Sequence, residues 1–300
     1  MKTNYSDIVN VSSIGKLDNP IKMNDILRMA SEEKLKPALQ DSNTVLAIGI
    51  DYQFDFMDFG ALGVPGAIGD VERFTRWIYF NINKITEIDV SIDTHIPQQI
   101  FHPCWWIDEN GNNPAPFTVI TLADLDSGKW KPCIAPIESR EYVQNLERLG
   151  RVLVIWPYHC LKGTVGCALD TQFANMLLFH SVARNSIGIK MVKGENPYSE
   201  MYGIIKPEYD KKNYINLAFL NKIEEYQKVV IAGEAASHCV LRSVEQILEH
   251  FANKPEVTKK IFILEDCMSY IPGFENTKDR YIDLKKQYGI NLVNSTNFNL

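Results

Sequence analysis

No window of the 300-residue sequence approaches the ~20 consecutive apolar residues that a bilayer-spanning helix needs. The first 30 residues also lack the apolar stretch of about 7–15 residues that marks a secretory signal. No long basic run interrupts a mildly acidic chain, in which 31 basic residues face 37 acidic ones for a net charge of −6. Nucleic acids and anionic membrane surfaces are held by clustered Lys and Arg, so neither is an expected partner. The six cysteines (104, 133, 160, 167, 239 and 267) form no CxxC pair. In a chain of this length they read as reduced thiols of a cytosolic protein. What remains is an ordinary globular composition, 45% apolar and 23% charged, with length enough for a sizeable core.

Residues 1–43 are polar and weakly periodic, and we read them as an N-terminal extension with one short helix near 24–33. From 44 to 300 the chain alternates. Apolar, β-branched runs at 44–51, 88–93, 151–156, 188–193, 228–233, 259–266 and 290–294 read as buried parallel strands. Between them, helical spacing recurs over 67–86, 138–149, 167–183, 217–225, from about Cys239 onward, and over 275–287. This pattern predicts one α/β domain, a doubly wound, mostly parallel sheet with helices on both faces in three Rossmann-like layers. The stretch 103–136 breaks the pattern with Pro103, Gly111, Pro114, Pro116, Pro132 and Pro136 among aromatics. Together with the helix after it, it reads as an irregular insertion over about 103–150.

Ligands of open α/β sheets bind outside the carboxyl ends of the strands. Those ends carry Asp51, then Asp93 with His95 and His102 after it, then Trp156 and His159, then Lys193, then 233–239 ending in Cys239. Cys239 is the candidate nucleophile, placed where a helix N-terminus and Lys193 favour a thiolate. Asp51 is positioned to take its proton and pass it to a leaving amine. The backbone N–H groups around Ala235 and Cys239 suit an oxyanion. Asp93, His95, His102 and His159 offer one carboxylate and three imidazoles, a donor set for a divalent transition metal, Zn²⁺ first, with Fe²⁺ or Mn²⁺ as alternatives. His180, His238 and His250 read as structural.

These residues also carry a resemblance. Asp51-Tyr52-Gln53-Phe54-Asp55-Phe56 followed by Leu62-Gly63-Val64-Pro65-Gly66, Asp93-x-His95 with His102, Trp156-Pro157-x-His159-Cys160, Lys193-Gly194 with Tyr198-Ser199, and Gly233-x-Ala235-x-x-x-Cys239-Val240 occur in that order. Together they resemble the nicotinamidase branch of the isochorismatase-like cysteine hydrolases over roughly 44–270. The resemblance implies a triad of Asp51, Lys193 and Cys239 and a nonproline cis peptide between Glu234 and Ala235. It also implies a metal that holds a pyridine-type nitrogen, and Phe56 and Trp156 packed on the substrate ring. The implied activity is hydrolysis of a small amide, nicotinamide first, by a homo-oligomeric enzyme. Other small C–N substrates (an N-carbamoyl compound or another amide) and a non-catalytic small-molecule binder are the competing readings. The sequence departs from the family pattern at Glu234, at Ser237, at Glu200 where a small residue is common, and in the 57 residues separating His102 from His159. The insertion between those histidines is expected at the mouth of the site.

Overall fold

Val45–Ile50 is apolar at every position and buried throughout, the mark of a strand covered on both faces. In the computed structural model, which describes residues 1–300, it is the central strand β1. The other strands of the sheet are β2 (Glu87–Asp93), β3 (Lys190–Lys193), β4 (Lys228–Gly233), β5 (Ile261–Leu264) and β6 (Asn291–Val293). They lie in the order β6-β5-β4-β1-β2-β3, and every pairing is parallel. Strand order reverses between β1 and β4, which leaves a crevice at their carboxyl ends.

Alternation along the strands separates two cores. Val45 and Ala47 of β1, with Val230 and Ala232 of β4, face one apolar cluster. Leu46, Ile48 and Ile50, with Val229 and Ile231, face the other. The first cluster is closed by α2 (Ala67–Asn81) and α4 (Thr171–Arg184), through Val71, Phe74, Ile78, Phe173 and Phe179. The second is closed by α5 (Leu217–Glu225), α6 (Leu241–His250) and α7 (Lys278–Tyr288), through Phe219, Ile223, Val244, Ile247 and Leu284. Burying each such side chain stabilises the fold by about 1.5–3 kcal/mol. The three-layer doubly wound architecture is the one the sequence predicts. No helix is long and apolar enough to cross a membrane.

One expected strand is not in the sheet. Of 151–156 only Leu153–Val154 is extended, and it pairs antiparallel with Val119–Ile120 in a separate ribbon. The run is apolar because it covers the core, with Leu153, Ile155 and Trp156 buried, and burial without sheet pairing leaves the same sequence signature. The segment 103–150 is likewise seated on the core. Trp105, Trp106 and Ile120, with Tyr142, Val143 and Leu146 of α3 (Pro136–Arg148), belong to the first apolar cluster. Residues 1–43 include α1 (Met23–Glu32), whose Ile26 and Ala30 are buried in the same cluster.

Candidate active site

Asp51, Asp93 and Lys193 are delivered by strand ends of the sheet and Cys239 by the turn after β4, while His102, Trp156 and His159 come from segments outside the sheet. Asp51 leaves β1 in a left-handed conformation, φ 50°, which aspartate tolerates better than most residues. Its carboxylate accepts a 2.6 Å hydrogen bond from the Ser91 hydroxyl, and Ser91 also accepts from the Asp51 N–H. Lys193 ends β3, and its ammonium lies 2.9 Å from Asp51 Oδ2 and 2.9 Å from Asp93 Oδ1. Both contacts are buried ion pairs. The same ammonium is 3.7 Å from Cys239 Sγ. Asp51, Lys193 and Cys239 are therefore brought together, and all three are buried.

Cys239 lies within a single π turn, Ala236–Val240, that leads into α6. Helix-end placement was expected to favour its thiolate. Instead burial pushes the Cys239 thiol well above its usual range, and the Lys193 charge opposes that only in part. Burial also raises Asp51, again against Lys193. Burial by itself would lower Lys193, but Asp51 and Asp93 outweigh it and hold the ammonium well above its ordinary value. The peptide between Glu234 and Ala235 is cis, as the resemblance implies, and the Ala235 N–H is engaged by no carbonyl or side chain.

Asp93 joins this cluster to a second one. Its Oδ2 lies 2.9 Å from His95 Nε2 and 3.7 Å from His159 Nε2. Ligand atoms of Asp93, His95 and His159 all lie within 4.8 Å of one another. His102 sits beside them, its ring centroid 5.9 Å from that of His95, but outside that compact group. The donor chemistry fits a divalent metal. In His95, His102 and His159 alike, Nδ1 pairs with a backbone carbonyl, that of Gly194, Pro97 and Pro157 respectively. Such pairing turns Nε2 of each ring away from the backbone, and in His95 that nitrogen meets Asp93 Oδ2. His102 Nε2 is buried and has no hydrogen-bond partner at all. Burial, then the neighbouring imidazoles, depress His102 to about 3, which keeps it neutral and able to donate its lone pair.

Gly194 shows why a lysine-glycine pair is needed here. Its φ is +81°, and a Cβ would stand 2.7 Å from both Asp93 Oδ1 and His95 Cε1. Gly194→Ala is expected to cost about 1–3 kcal/mol by strain and by displacing those two side chains. Urea unfolding measures this, and a loss below about 0.5 kcal/mol would show that the loop yields freely.

Phe56 and Trp156 line the small cavity over Cys239, together with Leu62, Ala235 and Ile271. Three further wall residues were not anticipated as lining: Glu200, Tyr202 and His238. His238 is thus more than a structural helix residue. Its ring stands edge-on to Trp156 at 5.2 Å, and burial depresses it to about 4. Gln53, noted only as part of a motif, clamps the Asp93 backbone by accepting from its N–H at 2.6 Å and donating to its carbonyl at 2.7 Å. A polar side chain two residues past a strand-end acid was the signal available for it.

No protein-family model matches the chain, and no curated protein matches its sequence. Solved structures do match. A nicotinamidase–pyrazinamidase of Acinetobacter baumanii is 18% identical, covers 86% of this chain and 98% of its own, and gives a TM-score of 0.58. The yeast nicotinamidase bound to the inhibitor nicotinaldehyde is 18% identical, with 83% and 99% covered and a TM-score of 0.57. A protein of L. infantum in complex with nicotinate is 15% identical, with 85% and 95% covered and a TM-score of 0.53. The chain therefore has the isochorismatase-like α/β fold of the nicotinamidases.

Proposed function

We propose that this chain is a cysteine amidohydrolase that cleaves a small amide, with nicotinamide, giving nicotinate and ammonia, as the favoured substrate. The observation that carries the reading is the buried cluster of Cys239, Lys193 and Asp51 at the crevice between β1 and β4, with Lys193 Nζ 3.7 Å from the sulfur and 2.9 Å from the carboxylate. The fold shared with a nicotinamidase bound to nicotinaldehyde supports the substrate class. Phe56 and Trp156 in the cavity wall support an aromatic acyl group.

The chemistry assigned to these residues follows from their positions. Asp51 takes the proton of Cys239, whose sulfur attacks the amide carbon. Lys193 balances the charge on the sulfur, which burial would otherwise disfavour. The oxyanion meets the N–H groups of Ala235 and Cys239. Asp51 returns the proton to nitrogen as the C–N bond breaks and ammonia leaves. Water then cleaves the thioester and restores the thiol. Asp93, His95, His102 and His159 would hold a divalent cation, Zn²⁺ or else Fe²⁺ or Mn²⁺. When bound, it supplies a Lewis-acidic anchor for a ring nitrogen of the substrate.

The test is ammonia release from metal-loaded protein given nicotinamide, with Cys239→Ala alongside. Removing the nucleophile is expected to lower the rate on the order of 10⁴-fold. Equal release from both proteins would reject the triad. No release from the wild type, with Cys239 alone among the cysteines rapidly alkylated, would retain the nucleophile and reject nicotinamide.

A further inference from the structure

Glu200 is an acidic residue where the resembled family commonly has a small one. It is 5% exposed and lines the cavity over Cys239. Its Oε1 accepts the Met201 N–H at 2.8 Å. Its own N–H donates to the Tyr142 hydroxyl of α3 at 3.0 Å, so the insertion fixes its position. No lysine, arginine or histidine forms an ion pair with it, while Lys193 is taken by Asp51 and Asp93.

The space around it is divided in an informative way. The cavity over Cys239 measures about 20 Å³, room for about one water. On the other side of Glu200, Tyr202 and His238 lies a second cavity of about 530 Å³, within the range of ligand sites. Its walls are mostly apolar, with Leu146, Val154, Leu241 and Phe274 among them. The other charges lining it are satisfied: Arg151 and Arg242 both pair with Glu208, and Glu245 pairs with Arg242 and Arg280. Glu200 is the one acidic side chain shared by both spaces; it forms no ion pair, and burial raises it to about 7 against the opposing charges of His95 and Lys193.

We infer that Glu200 selects amides that carry a protonated amine, the acyl group facing Cys239 and the amine arm crossing Glu200 toward the larger cavity. This rests on the amidohydrolase reading and narrows its substrate class. Burial disfavours the ionised form of Glu200, and a cation brought by the ligand favours it. Oε1 is already engaged by Met201, so the side chain is held in place before the ligand arrives. A neutral amide such as nicotinamide brings no partner for Glu200.

The experiment compares two twins, an aminomethyl-substituted and a hydroxymethyl-substituted pyridine carboxamide, on full-length metal-loaded protein. Ammonia release gives kcat/KM for each. The amine twin meets Glu200 as an ion and the hydroxyl twin as a neutral donor, so the amine twin is expected to be favoured about 10-fold. Glu200→Gln keeps an oxygen for the Met201 N–H and is expected to bring that ratio to about one. The inference is overturned if the wild type does not distinguish the twins, or if Glu200→Gln retains the preference. Failure of the underlying reading looks different: neither twin nor nicotinamide releases ammonia. The selectivity is then read from protection of Cys239 against alkylation. Protection by the amine twin at lower concentration, lost in Glu200→Gln, sustains the inference, and equal protection by both twins overturns it.

Discussion

Lys193→Met is expected to cost the fold about 3–5 kcal/mol and to abolish ammonia release. The ammonium lies 2.9 Å from an oxygen of Asp51 and 2.9 Å from one of Asp93, and all three residues are buried. Methionine nearly matches the length of lysine, so packing is kept while the compensating charge is removed. Two buried carboxylates then face each other beside Cys239, and the desolvation of both is uncompensated. The loss would consume a large share of the 5–15 kcal/mol typical of a folded protein. Lys193→Arg separates charge from fit. It restores a cation but not a compact point charge, so it should recover part of the stability and little of the activity. Urea unfolding at constant m and ammonia release give the two readouts. A loss below about 1 kcal/mol for the methionine variant would mean that the ammonium does not hold this cluster together.

The strands of the sheet were legible because a strand covered on both faces reads as a continuous apolar run, as in Val45–Ile50 and Lys228–Gly233. The same rule misplaced 151–156. Covering a core and joining a sheet impose the same composition, and the partner of Leu153–Val154 comes from residues 119–120, inside a stretch dense with breakers. At the site, residues tied to strand ends were legible by position, which is why Asp51, Asp93, Lys193 and Cys239 fall together as expected. What depends on distant packing was not. Glu200 is visible in the sequence, but its burial depends on Tyr142, 58 residues earlier. Helix-end reasoning also favoured a thiolate at Cys239, because the sequence displays the helix and Lys193 but not the desolvation that outweighs them.

Acid is expected to weaken the fold through His180 of α4. Its ring is buried, and Nε2 lies 3.0 Å from the Ile85 carbonyl, an arrangement that fits the neutral ring with Nε2 donating. Burial, reinforced by the charge of Arg184, depresses it from 6.5 to about 4. A depressed imidazole contributes stability that is present above the unfolded value and lost as pH falls, because the unfolded chain takes up the proton first. Between pH 7 and pH 5 that loss is about 2 kcal/mol, and it approaches 3 kcal/mol near pH 4. The place matters for the chain as a whole. Arg184 binds the Lys36 carbonyl and, at 2.5 Å, Asp41, and so ties the segment before β1 to α4. A proton on His180 sets a second cation against that anchor. In His180→Gln the amide can still donate to Ile85 but cannot charge. The difference in stability between wild type and variant should therefore shift by about 2 kcal/mol from pH 7 to pH 5, in the variant's favour. Parallel pH profiles for the two proteins, measured by urea unfolding, would show that His180 is not the group that titrates.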